Sequence, residues 1–483
     1  MHDVEPYAII VLIAAVALLA AVGSSRVSAR IGVPAPAIFL VGASIAADLF
    51  PSLGSLSIMA DQRIVTIALI VILFDGGMHI GWRRFRETAG AITWIGVAGT
   101  FVTAGGLALA AHGLFGFSWR TALLIGTALA PTDPAVVFSV LGRREISGRS
   151  GTLLEGESGA NDPVGIALMI SILGTSSGGW SAVGHGAFEF VLQMVVGGAF
   201  GLAGAYALLW LMRRVPMPND ALYALRTIAF ALLTYGAATA CHGSGFLAVF
   251  LTGILVGDAR APYKREIERF VGATSSLGEI VAFTVLGLSI PISDAFGHGR
   301  AWIGVGLAAL MIFLIRPVLV GLLLAPIRLR IGERAFVLWS GLKGAVPILL
   351  GTYVLSEHVA GASRVYGVIF VVVLISVIVQ GGLVPVLGRL WHVPMRVVEP
   401  EPWSLGMRFR DEPEGLRRFV VQAGSAADGS TIGDLPIGED VWISMVSRHG
   451  RLLHVSGDMT LEPGDEVLAL VGDEADPSST FAP

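Results

Sequence analysis

Thirteen apolar runs follow one another between residues 7 and 389, each near the length that crosses a hydrocarbon core. They lie at 7–24, 33–50, 64–80, 89–112, 120–141, 151–174, 187–212, 222–241, 244–258, 272–292, 301–325, 333–356 and 365–389, the ninth short and bounded by glycine. A bilayer offers backbone N–H and C=O groups no water, so such a chain folds as packed helices. The fold class read from this is mainly α: a polytopic membrane protein of about thirteen transmembrane helices. Composition agrees, with 54% of residues hydrophobic and 14% charged, where soluble domains carry about 25% charge. A net charge of −4 gives nucleic acid no basic surface. Cys241 is the single cysteine, which excludes an intramolecular disulfide and a cysteine metal cluster. Met1-His2-Asp3-Val4-Glu5-Pro6 lacks the basic opening of a signal peptide, so the first run reads as a retained helix.

Lys and Arg fall on alternate loops. One set includes Arg83, Arg84 and Arg86, then Arg143, Arg144 and Arg149, then Arg260, Lys264, Arg265 and Arg269. The opposite set holds only Arg63, Arg120, Arg300 and Arg364. The positive-inside rule puts the N-terminus outside a cell (inner) membrane and the C-terminus in the cytoplasm, as an odd number of spans requires.

Charges within the runs mark where function lies, because a carboxylate at mid-bilayer costs about 3 kcal/mol or more. Glu157-Ser158-Gly159-Ala160-Asn161-Asp162-Pro163 stands inside the sixth run. Asp162 is the best carrier there, since one buried carboxylate can hold either a proton or a cation. Asn161 beside it is neutral, so one charge suits one monovalent ion and an electroneutral exchange. The fifth run contains Ala130-Pro131-Thr132-Asp133-Pro134, and the twelfth Gly341-Leu342-Lys343-Gly344-Ala345-Val346-Pro347. Proline and glycine should break both helices. The breaks occupy matching positions of two inverted halves, the pattern that points to a transporter's midplane site. Asp133 can offset the positive end of a broken helix and Lys343 the negative end, a structural role for both. Thr132 adds a hydroxyl and freed carbonyl oxygens suited to a dehydrated alkali cation. Arg316 needs a buried anion, and Glu157 is the natural candidate. Asp75 reads equally as a boundary residue near Arg83 or as a cavity residue, while Glu279 has no evident partner.

Beyond Trp391 the composition changes. Residues 1–391 read as the transmembrane domain, 392–417 as a charged, proline-containing linker, and 418–472 as a small soluble domain of short strands and turns. Residues 473–483 read as a disordered tail.

Taken together, Thr132-Asp133-Pro134, Glu157 to Pro163, Arg316 and Gly341 to Ala345 resemble the NhaP-type branch of the monovalent cation:proton antiporter superfamily, over residues 7–390. The resemblance implies a core and a dimerisation domain, elevator-like alternating access and a homodimer. It makes Asp162 the ion- and proton-binding aspartate, Ser158, Thr132 and Asp75 further ligands, and Asn161 the first member of an Asn-Asp pair. A monovalent cation would sit at Asp162, Ser158 and Thr132, and Glu157 with Arg316 would form a structural ion pair. Lys343 departs from the arginine common in the family, and Asp75 from a glutamate.

Gly429-Ser430-Thr431-Ile432-Gly433-Asp434-Leu435 and Leu461-Glu462-Pro463-Gly464-Asp465-Glu466-Val467 resemble a TrkA-type C-terminal (RCK-C) domain, a small cytoplasmic α/β module. Such domains regulate potassium channels and transporters, often as dimers and sometimes through a nucleotide. No G-x-G-x-x-G follows a strand beside it, so its NAD-binding companion is not read here. The combination favours potassium over sodium as the cation exchanged for protons. A cation channel gated by the RCK-C domain is the alternative, but T-V-G-Y-G is absent. H-E-x-x-H does not occur, and no enzyme and no cofactor are read.

Overall fold

The computed structural model describes residues 33–54, 57–141, 144–146, 148–174, 180–259, 261–297, 300–397, 416–438, 440–449, 451–472 and 477–482, with five scattered positions before residue 24. The first apolar run and most of the linker lie outside the described residues. The chain divides into two compact units, Met1–Pro400 and Glu401–Pro483.

The first unit is helical. Among the described residues, seven helical courses are long and apolar enough to cross a membrane, and Ala35–Leu49, Gly245–Gly257 and Ala345–Ser356 are shorter apolar helices. The runs at 64–80 and 89–112 fall on two helical arms that meet at a kink within the course from Ile58 to Phe115. Gly81 is the joint: at φ 66° and ψ 162° its backbone is not helical, so one helix stops there and the next begins. Asp258, just past Gly245–Gly257, accepts from the Arg83 N–H at 2.5 Å and so caps the resumed helix. A side chain at Gly81 would strike that carboxylate.

Both expected helix breaks are present. Trp119–Leu129 ends, the chain unwinds, and Pro134–Leu141 resumes with proline in its first turn. Ile331–Trp339 ends likewise, and Ala345–Ser356 follows. Between them in sequence, Arg149–Gly174 stays helical through Pro163. Among the described residues, three π-helical stretches, Trp94–Ala98, Met311–Val320 and Ser376–Gly381, loosen neighbouring helices, and the second carries Arg316 and Pro317.

The start of the linker is ordered, contrary to its reading as a simple connection. Met395–Val397 (β2) pairs antiparallel with Arg144–Ile146 (β1), the strand that leads into Arg149–Gly174.

The second unit is a four-stranded antiparallel sheet of Leu416–Val420 (β3), Val441–Arg448 (β4), Arg451–Leu453 (β5) and Glu466–Val471 (β6), in the order β3-β6-β4-β5. Val421, Val446, Leu461, Val467 and Ala469 fill its core. The expected disordered tail is corrected at its end. Ser478–Phe481 forms a helical turn, the buried Phe481 ring stacks on Phe419 at 4.8 Å, and the Gln422 N–H donates to Phe481 O at 3.0 Å. One apolar anchor after a polar stretch is enough to hold the chain there.

Candidate ion-binding site

The two breaks cross and complete one another. At the first, the Asp133 N–H donates to Leu342 O of the second, at 2.8 Å. Lys343 returns the contact: its Nζ donates to Ala130 O at 3.0 Å and Pro131 O at 2.9 Å, with no exposed surface left. These carbonyls end Trp119–Leu129, where the helix dipole is negative. Asp133 serves the opposite pole, its Oδ1 accepting from the Ala135 N–H at 2.9 Å at the start of Pro134–Leu141. Gly344 lies so close that a Cβ there would collide with the Asp133 carboxylate.

Sequence reasoning missed the support behind Lys343. The Lys343 N–H donates to Ser376 Oγ at 3.0 Å, Ser376 Oγ donates to Gln380 Oε1 at 2.6 Å, and Gln380 Nε2 donates to Trp339 O at 3.0 Å. Trp339 ends the helix before the second break, so Gln380 caps it. The signal was available: Ser376 and Gln380 stand one turn apart in the last apolar run.

Arg149–Gly174 lies alongside the first break and presents residues 158, 161 and 162 on one face, as helical spacing requires. Ser158 Oγ donates to Thr132 O. Asn161 grips the same residue twice: Oδ1 accepts from the Thr132 N–H at 3.2 Å, and Nδ2 donates to Thr132 Oγ1 at 2.8 Å. Thr132, Ser158 and Asn161 are buried, and Asp162 is 7% exposed. Among the described residues, the Asp162 carboxylate has no hydrogen bond or ion pair; the charges that act on it are those of Asp133 and Lys343. A buried carboxylate beside a threonine hydroxyl, a serine hydroxyl and an unwound carbonyl is an all-oxygen donor set, the kind a hard cation takes.

Glu157, one residue before Ser158, points elsewhere. Arg316 Nη2 reaches its two oxygens at 2.9 and 3.1 Å, and Arg316 Nε donates to Leu338 O at 2.9 Å. Both side chains are 3% exposed. Gly341 in the second break leaves room for the guanidinium, which any Cβ there would strike. Asp75 is not brought to this group by any contact among the described residues. Its Oδ1 lies 3.3 Å from Nδ1 of the exposed His79.

Comparison with known proteins follows the same division of the chain. Residues 12–390 match the family described as sodium/hydrogen exchanger, transmembrane, and residues 416–475 match the TrkA-C domain. A K(+)/H(+) antiporter NhaP of Alkalimonas amylolytica is 33% identical over 98% of this chain and 83% of its own length. A Na(+)/H(+) antiporter NhaH of Halobacillus dabanensis is 29% identical over 68% of this chain and 83% of its own length. Among solved structures, the sodium proton antiporter MjNhaP1 of Methanocaldococcus jannaschii at pH 8 shares the fold, with a TM-score of 0.64 and 21% identity over 76% of this chain and 97% of that one.

Proposed function

Because the chain belongs to the sodium/hydrogen exchanger family, we propose that it is a secondary antiporter exchanging potassium, or less favourably sodium, for protons, with Asp162 as the carrier. The observation that carries this reading is the partnerless Asp162 carboxylate within an oxygen-lined group whose other members are hydrogen-bonded to one another. Ionised, Asp162 takes a dehydrated cation with help from Ser158 and Thr132; protonated, it is neutral and lets the cation go. Asn161 contributes no charge, so one cation exchanges for one proton and the cycle is electroneutral. Asp133 and Lys343 hold the crossing electrostatically, and Glu157 with Arg316 fixes the helix that presents Asp162. Asp75, engaged with His79, is left out of this ligand set.

Potassium is preferred in this reading on two grounds: relatives matched over 95% or more of the chain are named as potassium/proton antiporters, and the chain carries a TrkA-C domain. The protein would work as a homodimer in the inner membrane by elevator-type alternating access. Its C-terminal domain would face the cytoplasm, respond to pH or to a small ligand such as a nucleotide, and serve pH homeostasis. The test is proton-gradient dequenching in everted vesicles with each cation added in turn. Potassium should collapse the gradient at lower concentration than sodium. No response to either cation would sink the assignment.

A further inference from the structure

Glu279 lies in Lys264–Leu288, outside the group built on Thr132, and its Oε1 is buried without a hydrogen-bond partner among the described residues. Asp162 also lacks a partner, but its carboxylate belongs to the group at Thr132, whereas Glu279 stands on a different helix. An ionised carboxylate cannot be held cheaply in that position; the oxygen needs a donor, a cation or a proton of its own. Neither of the two buried bases at the crossed breaks supplies one. Arg316 is engaged with Glu157 and Leu338 O, and Lys343 with Ala130 O and Pro131 O. The charge that does act on Glu279 is that of Asp133, another carboxylate. On the helices packed around it, Asp75, beside Gly272, meets His79, Asp48 meets Ser293, and Tyr353 faces Thr66. Asp61 is another buried acid, and Arg226 gives Nη1 to the Leu211 and Val215 carbonyls while its Nε and Nη2 have no partner among the described residues; neither is among the charges that act on Glu279.

We propose that Glu279 is a second proton-binding site, which holds a resident proton while Asp162 takes up and releases the exchanged ion. The inference rests on the exchange proposed above. Its logic is charge balance within the hydrocarbon region. Asp133, Glu157 and Asp162, when ionised, are offset by Arg316, Lys343 and the single ion bound at Asp162. Glu279 has no remaining counter-charge, so it fits this balance only with its O–H bond intact. When that bond breaks at alkaline pH and the proton passes to water, one uncompensated negative charge remains within the membrane, and transit of the loaded site slows.

Two measurements on the full chain test this. In proteoliposomes, potassium-driven proton flux is followed against pH for the parent and for Glu279→Gln, which keeps the shape of the protonated acid but has no proton to lose. The alkaline limb of the profile should move upward by about one pH unit or more in the variant. Superimposable limbs would overturn the proposal, as would loss of flux at every pH in a folded variant. In detergent without added cation, titration from neutral to alkaline pH should release one proton fewer from Glu279→Gln than from the parent; equal release would overturn it. Should the glutamine variant not insert, Glu279→Ala serves for the same titration. Because this second measurement needs no transport, a parent protein that exchanges nothing would sink the proposed function while leaving the Glu279 test in force.

Discussion

At Thr132 every polar atom of the residue is engaged by Ser158 or Asn161, and it is Asp162, one position further along the same helix, that is left unengaged. That contrast makes Asp162→Asn the sharpest substitution available. It keeps size and hydrogen-bonding capacity but cannot ionise, so cation-dependent proton flux should fall to background in a folded, inserted protein. Asp162→Glu should retain part of the flux with altered apparent cation affinity. The Glu157–Arg316 pair should behave differently. Removing one member of a buried pair costs about 3–5 kcal/mol, so Glu157→Gln and Arg316→Gln should each lower the melting temperature in detergent, and the double variant should recover part of the loss. Single variants that melt with the parent would show that the pair contributes little. The residues of the site were legible in the sequence because charge inside an apolar run has few benign explanations. What the sequence could not convey is direction: the one-turn spacing of Asp75 and His79 permits their contact, but it does not say whether Asp75 turns to His79 or to the group at Thr132.

Among the elements, the two breaks were readable from Pro131, Pro134, Gly341 and Gly344, whereas the sharp joint at Gly81 was not. A longer loop and a one-residue joint between two helices share one composition, and the carboxylate that caps the resumed helix, Asp258, stands far along the chain. In the second unit, the connection before β6 is held by Asp465, which is fully buried. Arg448 Nε and Nη2 each donate to one of its oxygens at 2.8 Å, and the Glu462 N–H donates to Oδ2 at 2.9 Å. Burial alone would push the Asp465 carboxyl up, but the Arg448 guanidinium and the Glu462 N–H outweigh it and hold it below its ordinary value. A lowered folded value means that this stabilisation is fully present above the unfolded value of about 3.9 and fades as pH falls through the folded one. Protection of the β4 and β6 amides in the intact chain, taken against their intrinsic exchange rates, should therefore fall as the pH drops below about 4. Asp465→Asn should exchange faster at neutral pH and show less acid dependence; protection with the same acid dependence as the parent would contradict this.

For the molecule as a whole, the C-terminal unit is predicted to tune exchange and to take no part in the ion site. Deleting residues 405–483 should leave flux measurable but shift its dependence on cytoplasmic pH or on a small ligand. A truncated protein with the parental response and weaker dimerisation would make the unit a dimerisation module instead. Electroneutrality is tested at the same scale: flux driven by a pH gradient should ignore an imposed membrane potential, and a clear rate change would require unequal stoichiometry. The crossing of the breaks also bears on how the molecule can move. Asp133 is fastened to Leu342, Lys343 to Ala130 and Pro131, and Gly344 presses against Asp133. Two bodies pinned at several points retain no relative rotation or translation, so kinematically the crossed segments are a single link. In the alternating access proposed above, the joint then lies at the edges of that link, and its displacement carries both breaks together.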